Sequence, residues 1–165
     1  MKTAVFVAFL TMALVAYGQQ ENKQESSAEH HCQMMKHGEM AMGFSQDKTT
    51  HHFHLTASGG VIEVQTNDPS DTTTRDQIRQ HLDGISKAFA QGDFSSPMMT
   101  HGKIPPGVPD MQRMKGDLSY KYVETDRGGR VVISTTNAET VKAVHAFLRF
   151  QIEEHQTGDS EAVQK

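Results

Sequence analysis

The feature that most constrains this chain is an internal repeat. Gly59-Gly60 and Gly128-Gly129 each sit between two short runs of alternating polar and apolar residues. His52-Phe53-His54-Leu55-Thr56-Ala57 leads into the first pair and Val61-Ile62-Glu63-Val64 leads out. Leu118-Ser119-Tyr120-Lys121-Tyr122 and Val131-Val132-Ile133 flank the second. Alternation is the signature of a strand with one buried face, and glycine supplies the positive φ that tight hairpin turns need. Each hairpin pattern is followed by a helical one. Ile78, Leu82, Ile85 and Phe89 recur at four, three and four, as do Val141, Val144, Leu148 and Ile152 at three, four and four. Superposing the glycine pairs puts Ile62 on Val131, Val64 on Ile133 and Thr66 on Thr135. One such unit cannot bury both its sheet face and its helix stripe. Two can, so the chain is expected to be α+β: two ββα repeats forming a four-stranded antiparallel sheet with both helices on one face.

Local signals punctuate this plan. Asp68 is the expected N-cap of the first helix, with Pro69 at its first position and Asp71 in its first turn, and Gly92-Asp93 ends it. Asn137 caps the second, with Glu139 in its first turn, and Thr157-Gly158-Asp159 stops it. Between the repeats the periodicity is lost. Ser95-Ser96-Pro97, Pro105-Pro106-Gly107 and Pro109 predict a long loop over 94–116, carrying Met98-Met99-Thr100-His101 and then Met111 and Met114. A connection of that length in a small domain is often functional. The single domain spans 50–160, with a tail over 161–165.

The N-terminal part reads differently. Lys2, the apolar run from Ala4 to Ala16 and the small-x-small Ala16-Tyr17-Gly18 form a secretory signal peptide over 1–18. The run is shorter than the roughly 20 apolar residues that a membrane-spanning helix needs. The mature protein is therefore expected to be periplasmic or secreted, with no membrane association after cleavage. Residues 19–49 are a polar tether and an arm. Ser26-Ser27-Ala28-Glu29 has the form of a capping box, so a short helix from Ser27 to Met42 is expected, closed by Gly43. The formal net charge is −4 and no basic stripe occurs. Nucleic acid is therefore not an expected partner, because phosphate neutralisation needs clustered Lys and Arg.

The chemistry in the sequence is that of soft and borderline ligands. Six of the ten histidines, four of the ten methionines and the single cysteine fall between His30 and His54. In an oxidising compartment a lone cysteine has no internal disulfide partner and suggests a metal ligand, an intermolecular bridge or a free thiol. Imidazole, thioether and thiolate are the donors that copper prefers, with zinc as runner-up. The candidate metal ligands are His30, His31, Cys32, Met34, Met35, His37, Met40 and Met42 from the arm. His51, His52 and His54 from the first strand support them, and His101 comes from the long loop. On the strand, His52 and His54 share a face away from the helices and His51 points the other way. The plain alternative is a Met-packed helix and a solvated polar sheet face. His81, His145 and His155 lie beside or within helix stripes, where a satisfied, partly buried histidine is the ordinary case. No Gly-x-Ser-x-Gly, phosphate loop, His-Glu-x-x-His or Cys-x-x-Cys is present.

Met42-Gly43-Phe44, Lys48-Thr49-Thr50-His51-His52-Phe53, Arg79-Gln80-His81-Leu82, the run His145 to Ile152 and Thr157-Gly158-Asp159 together resemble a family of small exported bacterial proteins of unknown function. Some of its members are labelled aspartate carbamoyltransferase, which implies carbamoyl transfer. That chemistry uses a Ser-Thr-Arg-Thr loop at a helix N-terminus to bind phosphate. This chain has Thr72-Thr73-Thr74-Arg75-Asp76 there.

The expected function is an exported, non-catalytic soft-metal-binding or metal-handling protein, with copper as the ion. The alternative is a metal-free module that binds a small ligand, a protein partner or a second copy of itself. A small enzyme using His101, His81 or His145 as acid or base ranks behind both.

Overall fold

The computed structural model describes Glu29 and residues 32–164. The expected signal peptide, tether and capping box, together with His30 and His31, lie outside the described residues. Helix α1 covers 32–42, and Gly43, at φ 79°, closes it with its N–H on the Glu39 carbonyl. That is the C-cap glycine expected from the sequence.

After a single 3-10 turn (Gln46–Lys48) come β1 (Thr49–Thr56) and β2 (Gly59–Thr66), then α2 (Thr72–Ala90). Helices α3 (Ser95–His101) and α4 (Val108–Arg113) and a second 3-10 turn (Lys115–Asp117) lead to β3 (Ser119–Thr125), β4 (Gly128–Ser134) and α5 (Ala138–His155). The four strands form one antiparallel sheet in the order β1-β2-β4-β3. The fold is α+β, with α2 packed on β3 and β4 and α5 packed on β1 and β2.

The pairing register shows that the repeat is a pseudo-two-fold. Residues 69 apart are equivalent, and Ile62 pairs directly with its equivalent Val131 at the centre of the β2–β4 ladder. Both hairpins close in the same register, Thr56 on Gly59 and Thr125 on Gly128. The double glycines also make room above the sheet. A Cβ on Gly60 would lie 2.2 Å from Leu148 Cδ1, and one on Gly129 would lie 2.8 Å from Tyr122 Cε2.

The core is the helix-facing side of the sheet. Phe53, Leu55, Ile62, Val64, Val131 and Ile133 meet Ile78, Leu82 and Phe89 of α2 and Val144, Phe147 and Leu148 of α5. Burial of each large apolar side chain stabilises the fold by roughly 1.5–3 kcal/mol. The Thr66 and Thr135 equivalence holds as well, since both are buried at strand ends.

Three expectations need correction. The glycine pairs are not the hairpin turns: Gly59-Gly60 and Gly128-Gly129 open β2 and β4, the turns fall at 57–58 and 126–127, and of the four glycines Gly59 alone has a positive φ. The first helix is capped by Asp71, whose carboxylate accepts from Thr74 N and Thr74 Oγ1 at 2.9 and 2.7 Å. Asp68 instead closes a local turn on Ser70. The long loop over 94–116 is largely helical. Pro97 and Pro109 both fall in helix first turns, where a missing N–H costs nothing. Asp93 accepts from Ser95 N at the start of α3. Met111 is fully buried and Met114 packs on the core, so these methionines fill space.

Candidate functional site

The C-terminal ends of the two long helices differ where the fold makes them equivalent. Counting from the caps Asp71 and Asn137, the stripe Thr74, Ile78, Leu82, Ile85, Phe89 matches Thr140, Val144, Leu148, Gln151, His155. Two apolar positions have become polar. The facing strand positions differ in the same way, because His51 on β1 is equivalent to Tyr120 on β3. In one half of the molecule Phe89 packs edge-on against Tyr120 with centroids 5.8 Å apart. In the other half His155 stacks on His51 at 5.4 Å. The same place in the fold holds an aromatic pair on one side and an imidazole pair on the other.

The imidazole pair borders a cavity of about 70 Å³ between β1, β2, α2, α3 and α5. Its wall includes four histidines, His51, His81, His101 and His155, with Met42, Gln151 and Thr100 among apolar side chains such as Phe53, Ile85 and Phe89. Space of that size suits an ion or a group of a few atoms rather than a nucleotide. Helix α3 brings in His101, which is edge-on to His155 at 5.1 Å and to Phe150 at 4.9 Å. Its Nε2 meets Gln151 Oε1 at 3.0 Å, and its Nδ1 lies 3.6 Å from Glu154 Oε2. Phe44 stacks on His51 and lies edge-on to His81.

This wall is electrostatically unusual. Burial pushes the imidazoles of His51 and His81 down to about 4, and at His51 the neighbouring His81 and His52 add to the effect. Burial also lowers His101, although Gln151 and Glu154 pull the other way. These rings are therefore neutral near pH 7, each with a nitrogen lone pair. Among the described residues seven buried side-chain polar atoms lack a hydrogen-bond partner. His51 Nε2, His101 Nδ1 and Gln151 Nε2 belong to this one wall. An orphaned buried polar group costs about 1–3 kcal/mol, which a suitable occupant would recover.

The sequence-derived ligands scatter. Cys32, His37 and Met40 on α1 are exposed, Met40 at 73 %, and Met35 is half-buried. Met34 is buried. Only Met42 of the described arm residues lines the cavity. His51 and His101 line it too, but His101 is a buried residue of α3 and not a loop ligand. His52 and His54 lie on the opposite face of the strand from buried Phe53 and Leu55, and the C-terminal segment meets them. His145 is the satisfied core histidine expected, with Nε2 2.9 Å from the Thr56 carbonyl. His81 and His155, which the sequence presents as ordinary stripe histidines, both line the cavity. Aligning the two helix stripes residue by residue would have exposed His155 as a polar substitution in an apolar repeat.

No family profile, curated protein or solved structure matches the chain. Among the described residues, no three His, Cys, Asp or Glu side chains converge as a preformed metal set. None of the described helices is long and apolar enough to cross a membrane. At the α2 N-terminus, where a carbamoyl-phosphate loop would bind an anion, the Asp71 carboxylate already takes the Thr74 N–H.

Proposed function

We propose that the chain is an exported, non-catalytic binding protein for a soft or borderline transition-metal ion, copper first and zinc second. Its site is the cavity walled by His51, His81, His101, His155 and Met42. The observation that carries this reading is the buried, unpartnered His51 Nε2 at a cavity where burial keeps the His51 and His81 imidazoles neutral. Neutral imidazole is the metal-binding form, and thioether favours Cu(I). Spacing supports it. Two imidazoles on one ion, with metal–nitrogen bonds of ~2.0–2.1 Å, hold their centroids about 5–6 Å apart. His51, His155 and His101 stand 5.4 and 5.1 Å from one another in sequence around the wall.

A Cu(I) competition titration tests the proposal. The wild-type chain should take up one ion, and His51→Phe with His155→Phe should weaken it at least tenfold. Cys32→Ser with Met40→Leu should leave it unchanged. If the arm variant loses the ion and the cavity variant keeps it, the site lies in the arm and the proposal is wrong.

The apolar share of the wall favours a second reading, a small uncharged organic ligand held by Gln151 and the histidines. In that case neither variant alters copper binding.

A further inference from the structure

The other face of β1 carries a second arrangement of histidines that the cavity does not use. His52 and His54 project to the side away from the helices, and their rings stack with centroids 5.9 Å apart and planes 13° apart. The C-terminal segment runs along the free edge of β1. Gln164 N donates to the Leu55 carbonyl at 2.8 Å, and Phe53 N donates to Asp159 Oδ2 at 2.9 Å. The same segment grips both rings at one nitrogen. His52 Nδ1 is 3.0 Å from Asp159 Oδ1, and Gln164 Nε2 donates to His54 Nδ1 at 3.0 Å.

The consequences follow from imidazole chemistry. A carboxylate accepts and cannot donate, so neutral His52 carries its proton on Nδ1. Its Nε2 then holds a lone pair, and the His52 side chain is 32 % exposed. This is the carboxylate–histidine arrangement that fixes tautomer and raises ligand basicity in metal sites. At His54 the Gln164 Nε2 donor makes Nδ1 the acceptor and leaves the proton on Nε2, so binding a cation at Nε2 moves that proton to Nδ1 as the amide turns over to present its oxygen. Asp159 itself is committed at both oxygens, to His52 and to Phe53 N, so it positions the ring and is not a ligand.

We infer that His52 and His54 form a two-histidine site for a borderline divalent cation such as Zn²⁺, bound through both Nε2 atoms with water completing the shell. Asp159 is its positioning residue. The centroid separation of 5.9 Å falls within the ~5–6 Å that two imidazoles on one ion allow. The site is independent of the cavity, because it lies across the sheet and uses none of the same side chains.

Zinc titration by calorimetry near pH 7 tests it on the whole mature chain. The wild type should bind Zn²⁺ at this face, and nitrogen-15 spectra of the histidine rings should show Nε2 of His52 and His54 shifting together. His52→Asn and His54→Asn should each weaken binding at least tenfold, while Met99→Leu, at an exposed position of α3, should leave it intact. Asp159→Ala should weaken it severalfold and move His52 toward the Nε2–H tautomer. Asp159→Asn, which keeps an acceptor oxygen, should restore most of the loss. Zinc affinity unchanged in His52→Asn and His54→Asn would overturn the inference. So would zinc shifts confined to His51, His81, His101 or His155, which would place zinc in the cavity.

Discussion

Replacing His51 by phenylalanine should flatten the acid sensitivity of the fold. In the folded chain burial holds His51 at about 4, against 6.5 for an ordinary histidine. Between those values the unfolded chain binds the proton and the folded chain does not. The stability contributed is thus fully present above about pH 6.5 and is lost as pH falls toward 4. The slope is about 1.4 kcal/mol per pH unit for one histidine. Lowering the pH to about 4.5 therefore removes ~2–3 kcal/mol through His51 alone, a large share of the ~5–15 kcal/mol typical of a domain. Carboxylates depressed by local hydrogen bonds, Asp68, Asp71 and Asp93, titrate below 3.8 and barely enter this window. At neutral pH the phenylalanine removes an orphaned nitrogen worth about 1–3 kcal/mol, and crowding from the larger ring offsets a similar amount. Tyr120 beside Phe89 shows that the equivalent position accepts a six-membered ring. Urea unfolding followed by circular dichroism at about pH 7 and 4.5 measures both ends. The variant should lose ~2–3 kcal/mol less than wild type on acidification. Equal losses, within about 0.5 kcal/mol, would refute the argument that His51 is buried neutral.

Three further substitutions probe the frame around the site. Asp71→Ala should cost about 1 kcal/mol in chemical denaturation, with Asp71→Asn keeping most of the capping. Gly107→Ala should cost ~2 kcal/mol or more, roughly 5 °C in thermal melts. There φ is 82° and a Cβ would sit 2.1 Å from the Ala143 carbonyl oxygen of α5. His145→Leu leaves the Thr56 carbonyl without its partner and should cost about 1–3 kcal/mol in the same denaturation assay, with copper uptake unchanged.

The fold was legible because its signals are local and occur twice. The glycine pairs, which open β2 and β4 rather than forming the turns, the alternating strands and the two helix stripes each imply the next element, and the offset read from the glycines is the one the β2–β4 register obeys. Pro97 and Pro109 misled because proline marks both a loop and the first turn of a helix, and only the chain around it decides. The site was legible in part. His51 could be assigned to the core side of its strand by alternation alone. His81 and His155 could not be told from ordinary stripe histidines, because their meaning depends on a cavity formed by elements far apart in sequence. The density of soft ligands near Cys32 drew attention to α1, where Cys32, His37 and Met40 turn out to be exposed.

The most direct test of the central claim is X-ray absorption at the copper edge of the mature, Cu(I)-loaded chain. If the cavity is the site, the first shell is dominated by imidazole nitrogen with one sulfur, and the sulfur disappears in Met42→Leu. A sulfur-rich shell that survives Met42→Leu and His51→Phe but collapses in Cys32→Ser would contradict it.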